Sequence, residues 1–141
     1  MDLTRRETLF SGSAMLMALG MPVRASAQQI TAEEAIEAFA GDRKTLPGGM
    51  TLTLEAVAED GFKVPVEVLA PGSVAILIIA PQNPVPPVAL MKFGPLADRQ
   101  RFATRIRLAK TQEVMALAKM PDGQVRKVTQ HVDVIVGGCG A

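Results

Sequence analysis

The sequence predicts an all-β fold: an immunoglobulin-like β-sandwich of about seven strands, with a short N-terminal helix and a flexible C-terminal Gly-Gly-Cys-Gly arm. Three observations lead there. From Met50 onward the apolar residues recur with a period of two rather than 3.6. Turn-forming Gly, Pro and Asp residues break that pattern at regular spacing. One stretch, Val74-Ala75-Ile76-Leu77-Ile78-Ile79, is apolar throughout at strand length, the pattern of a strand buried on both faces.

The elements follow in order. Thr31-Ala32-Glu33-Glu34 is a capping box, in which the Thr hydroxyl caps the backbone three residues on and Glu34 reaches back. Ala35, Ile36, Ala38 and Phe39 give an apolar stripe, and Gly41 ends the helix. So short a helix is not stable alone and must dock, on the body of the protein or on a partner. Strand alternation then runs from Met50 to Val57 and from Lys63 to Leu69, where Pro65 predicts an edge strand. Val88 to Phe93 follows the Pro84, Pro86, Pro87 punctuation, and Arg101 to Leu108 alternates again. Val114 to Met120 leads into the hairpin turn Pro121-Asp122-Gly123. The last strand is Val125 to Val136, with Val128, Val132, Val134 and Val136 on one face.

Composition narrows the chemistry. The 141 residues suffice for one ordinary domain. With 48% apolar residues the chain is not intrinsically disordered. A net charge of +1 argues against coating a polyanion, and no Trp or Tyr leaves few platforms for stacking nucleobases, so nucleic acid is not an expected partner. One Cys and one His exclude an internal disulfide and give too few ligands for a zinc cage, so neither a metal nor a cofactor is expected. His131 alternates with the valines of the last strand and should face solvent, so no Ser-His-Asp arrangement is expected and no catalytic residue is assigned.

Residues 1–27 read as a cleaved Tat signal. Arg5 and Arg6 precede a weakly apolar stretch from Phe10 to Val23, and Ala25-Ser26-Ala27 is a small-x-small cleavage site. The stretch is too short, and too interrupted by Gly12, Gly20 and Pro22, for a membrane anchor, so no membrane association is expected. Removing it leaves 114 residues with 12 basic and 12 acidic side chains, exported to the periplasm. The expected organisation is a signal over 1–27, a sandwich domain over 28–136 and an arm over 137–141.

Two features carry candidate chemistry. Arg101, Arg105 and Arg107 fall on one side of one strand, with Arg99 and Lys110 nearby. That is either a solvated face or an anion- or partner-docking patch, with Arg105 and Arg107 as its candidates. The second feature is Cys139, the one thiol, in Val136-Gly137-Gly138-Cys139-Gly140-Ala141. A structural Cys sits in a core. Here Gly137, Gly138 and Gly140 remove bulk around the thiol and widen its backbone freedom. A narrow tail of this kind places a sulfur about 10 Å beyond the last paired residue, the geometry of a carried group. A catalytic thiol needs a rigid shell with a base and oxyanion donors. A lone exposed Cys in an oxidising compartment implies that the sulfur is used.

The tail Gly137-Gly138-Cys139-Gly140-Ala141 resembles the Gly-Gly-Cys-Gly-Gly terminus of the SoxY family, with Ala141 where the family usually ends in Gly. Thr104 to Gln112, Met120-Pro121-Asp122-Gly123 and Ala58-Glu59-Asp60-Gly61 followed by Val64-Pro65-Val66 are similar to the family's strands and hairpin, with Asp60 in place of an expected Asn. The resemblance implies a sulfur carrier of thiosulfate oxidation. It pairs with a SoxZ-like subunit and docks transiently with the SoxAX cytochrome, the SoxB hydrolase and the SoxCD dehydrogenase. It also implies that Cys139 holds the sulfur covalently, that the three glycines supply reach, and that the carrier catalyses nothing. Two other readings compete: a secreted adaptor whose Cys139 joins two subunits by a disulfide, and a thiol sulfurtransferase, which the missing base disfavours.

Overall fold

The computed structural model describes residues 29–135. It contains one helix, α1 (Ala32–Ala40), and nine strands: β1 (Thr45–Pro47), β2 (Thr51–Leu54), β3 (Val57–Ala58), β4 (Val64–Leu69), β5 (Ala75–Ile79), β6 (Pro87–Lys92), β7 (Arg101–Ile106), β8 (Gln112–Lys119) and β9 (Val125–Val134). They form two sheets. The larger runs β1-β9-β8-β5-β6, with β3 also paired to β9, and the smaller runs β2-β4-β7.

The period-two pattern has its cause in the space between the sheets. Leu52, Leu54, Val64, Val66, Val68 and Ile106 of the small sheet meet Ile76, Ile78, Val114, Ala116, Ala118 and Val132 of the large one. Each fully buried Val, Leu or Ile contributes roughly 1.5–3 kcal/mol. Val128 and Val134 pack against this core from β9, while Val125 points the other way. Val136 lies outside the described residues.

The apolar run of β5 needs two covers, and it has them. Ile76 and Ile78 face the inter-sheet core. Leu77 and Ile79 face outward, under Ala32, Ala35 and Ala40 of α1, with Leu117 and Val125 beside them. The helix therefore docks on its own protein. Its capping box is formed: Glu34 N–H donates to Thr31 Oγ1 at 3.2 Å, and Thr31 N–H to Glu34 Oε2 at 2.7 Å. Gly41 ends it at φ 64°.

The structure corrects three details. The expected strand over Met50 to Val57 is broken, because after Leu54 the chain leaves the small sheet and β3 joins the large one beside β9. With β1, this raises the strand count from about seven to nine. Both extra strands are short and parallel to β9, pairing Thr45–Pro47 with Val125–Lys127 and Val57–Ala58 with Asp133–Val134, so their extension depends on a distant partner. Lastly, β4 is the central strand of its sheet and not an edge. Pro65 is tolerated because β2 ends at the pair Leu54↔Val66, one residue short of it, which leaves only β7 alongside.

The β8–β9 hairpin closes as Pro121-Asp122-Gly123 predicts. Gly123 takes φ 84°, its N–H donates to Met120 O at 2.9 Å, and Met120 N–H donates to Gln124 O at 2.8 Å.

Candidate carrier site

Cys139, Gly137, Gly138 and Gly140, and the signal residues Arg5 and Arg6, lie outside the described residues. The structure does describe the place from which the Cys139 segment departs. β9, ten residues long, is fixed at its end by three hydrogen bonds. Asp133 N–H donates to Ala56 O at 2.9 Å and Ile135 N–H to Ala58 O at 3.0 Å. Between them, Val134 N–H donates to Thr111 Oγ1 at 2.9 Å.

The turn after β3 is built against this end. A Cβ on Gly61 would stand 2.5 Å from Leu108 O and 2.9 Å from Val134 Cγ1. Gly61 is thus required by close approach, and its carbonyl accepts from Leu108 N–H at 2.8 Å. Asp60 Oδ1 accepts from Phe62 N–H at 2.8 Å, a local turn bond that fixes where Phe62 points. Phe62 is 67% exposed, and the Arg107 guanidinium lies 4.7 Å from its ring centroid. Glu59, Asp60, Phe62, Arg107, Ala109 and Ile135 line an open groove at the end of β9.

The three arginines that the sequence places on one side of a strand have different surroundings. Arg101 donates through Nε and Nη2 to both carboxylate oxygens of Glu67 on β4. That hydrogen bond, more than charge attraction, holds the Glu67 carboxyl below its usual range and the Arg101 guanidinium above its own. Arg105 is exposed on β7 opposite Pro65, and Arg107 lies just past the strand, over Phe62. Neither has a carboxylate within salt-bridge distance among the described residues. Arg101 is therefore neutralised, and Arg105 and Arg107 are the available cations of the three.

His131 faces solvent on β9, 3.3 Å from Asp133 Oδ1. No group of three His, Cys, Asp or Glu side chains is placed to hold a metal among the described residues, and no helix there is long and apolar enough to cross a membrane.

Sequence reasoning missed several supporting residues. Gln112 is buried, accepts from Gln82 N–H at 2.9 Å and donates to Asn83 Oδ1 at 3.1 Å. Asn83 in turn donates to Arg107 O at 2.6 Å, which ties the Pro-rich loop to the base of Arg107. Gln130 donates to Leu54 O at 2.7 Å where the chain changes sheets. The one local signal was Gln112 at the first position of a largely apolar strand.

Together these define a class: a small β-sandwich that firmly anchors the end of its last strand, with the sole thiol of its sequence five residues further on. A family model described as "Sulfur oxidation protein SoxY" matches residues 36–139, a span that ends on Cys139. The chain belongs to the SoxY family. Among solved structures it is similar to the sulfur carrier protein SoxY from Chlorobium limicola f thiosulfatophilum, with 27% identity and a TM-score of 0.65 over 74% of this chain and 96% of that one. A single-site variant of the superoxide reductase (neelaredoxin) from Ignicoccus hospitalis matches at 14% identity and a TM-score of 0.53, over 74% of this chain and 93% of the other. A second variant of that reductase matches at 13% and 0.51, over 76% and 90%. These two likenesses concern the fold alone. No curated protein matches the sequence.

Proposed function

We propose that this protein is a periplasmic, non-catalytic sulfur carrier that holds thiosulfate-derived sulfur covalently on Cys139. The observation that carries the reading is the membership in the SoxY family over a span that ends on the chain's single thiol. The anchored end of β9 supports it. Cys139 stands four residues beyond Ile135, and four fully extended residues reach at most about 14 Å. A thiol on such a tether can leave the body of the protein while its base stays fixed. No resident cofactor is needed; the cargo is the sulfur itself.

The chemistry runs as follows. The Cys139 thiolate and thiosulfate form a sulfur–sulfur bond, and the two electrons released pass to a cytochrome partner of SoxAX type. Water then cleaves the terminal sulfonate as sulfate, with a SoxB-type hydrolase as catalyst, and leaves a persulfide on Cys139. A SoxCD-type dehydrogenase would oxidise that sulfane sulfur to a sulfonate with oxygen from water, passing the electrons to a cytochrome acceptor, and a second hydrolysis would release sulfate and free the Cys139 thiolate. The carrier supplies a nucleophile and reach, and works as one half of a pair with a SoxZ-like subunit. Residues 1–27, with Arg5 and Arg6, would direct Tat export, residues 28–136 form the body, and Gly137, Gly138 and Gly140 free the arm around the thiol.

The test is the intact mass of protein purified from thiosulfate-oxidising cells, with and without reductant. Reductant-labile additions that map to Cys139 and vanish in Cys139→Ser are the expected result. A Cys139→Ser protein that still carries sulfur would overturn the reading. A disulfide-linked dimer as the working form would favour an adaptor.

A further inference from the structure

Phe62 departs from the pattern of the other described aromatic residues. Phe39, Phe93 and Phe102 pack against the two cores, whereas Phe62 is 67% exposed. Two segments nevertheless fix its position. Asp60 Oδ1 accepts from its backbone N–H, and the Arg107 guanidinium lies over its ring. The backbone around Arg107 is held in turn. Asn83 Nδ2 donates to Arg107 O, Asn83 Oδ1 accepts from Ala109 N–H at 2.9 Å, and Leu108 N–H donates to Gly61 O. An exposed aromatic ring that is ordered before any contact loses little entropy on binding, and such rings anchor protein interfaces.

The ring stands in the groove at the end of β9, which measures about 370 Å³. Phe62 and the half-exposed Ile135 give it apolar surface. Arg107, Glu59 and Asp60 are its charges, and none of them has an oppositely charged partner within salt-bridge distance among the described residues. Distance decides what can cover this groove. Cys139 lies four residues beyond Ile135, at most about 14 Å away. A transient interface that covers about 600 Å² of each partner is a disc about 14 Å in radius. An enzyme whose cleft receives Cys139 therefore overlaps the groove, because tether and footprint have the same reach. The demand is strictest at the first step of the cycle. There the new bond forms at the Cys139 sulfur itself, while the bond that the hydrolase cleaves lies one sulfur further out.

We propose that the groove lined by Phe62, Arg107 and Ile135 is the surface on which the cytochrome partner docks while the sulfur–sulfur bond forms at Cys139. This rests on the carrier reading above, which supplies the thiol and the oxidising partner. The matching face of the cytochrome carries an apolar rim that covers the Phe62 ring, with a carboxylate against Arg107 and a Lys or Arg against Glu59. Phe62 and Arg107 then set affinity, and the chemistry stays with Cys139 and the haem protein.

The test measures thiosulfate loading by the SoxAX-type cytochrome at varied concentrations of the carrier, held as the complex with its SoxZ-type subunit. Phe62→Ser should raise KM about 10- to 30-fold and leave kcat within about twofold, the mark of lost binding and intact chemistry. Arg107→Glu should raise KM about tenfold at low salt and less at high salt. Leu96→Ser, at a position 98% exposed between β6 and β7, should stay within about twofold of wild type. Alkylation of Cys139 by iodoacetamide should run at the wild-type rate in all three variants, which separates docking from a disturbed thiol. An unchanged KM in both Phe62→Ser and Arg107→Glu, or an equal rise in Leu96→Ser, would overturn the proposal. So would alkylation slowed in proportion to loading. A KM defect confined to the SoxB-type hydrolysis step would overturn it in favour of the hydrolase as occupant. A wild-type complex that is alkylated at Cys139 yet accepts no sulfur there would overturn the carrier reading itself.

Discussion

β5 and β6 are neighbours in one sheet, antiparallel and both apolar, yet their surroundings differ. Every residue of β5 is buried, and none of β6 is. Across the pair, Leu77 lies under α1 while Leu90, directly opposite it, is half exposed. The difference is coverage: β5 has β8 on its far side and a helix over its outer face, and β6 has neither. Equal hydrophobicity thus serves two ends. In β5 it stabilises the fold, and in β6 it leaves apolar surface exposed at the edge of the sheet.

Substitutions should separate these roles. The largest effect on stability belongs to Ile78→Ala, which empties a fully buried site between the sheets and should cost about 2–5 kcal/mol in chemical denaturation. A loss below about 1 kcal/mol would mean that β5 is not the centre of the core. Next comes Gly61→Val. Its new Cβ meets a backbone carbonyl and Val134, so the turn must shift, and about 1–3 kcal/mol should be lost. Hydrogen exchange at Val134 and Ile135 should rise with it, because those amides anchor the end of β9.

Thr31→Ala removes one half of the capping box and should cost about 1 kcal/mol, with faster exchange in α1 and increased exposure of the outer face of β5. On β6, Leu90→Asp should change unfolding stability by no more than about 0.5 kcal/mol, and a larger loss would show that the strand belongs to the core after all. The smallest effect is that of the Glu67–Arg101 pair. The Glu67 carboxyl is held below its ordinary 4.5 in the folded state, so the pair's contribution is present above that pH and fades as pH falls through the lowered value. Wild type should therefore lose slightly more stability than Glu67→Gln below pH 4.5, and added salt should shrink the gap.

What was legible in the sequence was local or strongly periodic. The run of β5, the Thr31–Glu34 box and the Pro121-Asp122-Gly123 turn each carry their cause within a few residues. β1 and β3 were hidden because three and two residues have no pattern of their own and are strands only beside β9. Pro65 was misread because its tolerance depends on where β2 stops. The Arg101–Glu67 pair joins residues 34 apart in sequence, so a basic face that looked continuous is not. At the candidate site, composition and placement single out Cys139 and its glycines, which lie outside the described residues. The anchoring of β9 by Ala56, Ala58 and Thr111 was not legible, since β9 and the two segments that hold it meet only in the fold.

The most direct test of the central claim is to load the reduced protein with thiosulfate and its cytochrome partner and follow the intact mass. The account predicts one reductant-labile addition of a thiosulfonate group on Cys139, formed by wild type and absent from Cys139→Ser. Sulfur accepted at any other residue, or none accepted by Cys139 in the assembled complex, would contradict it.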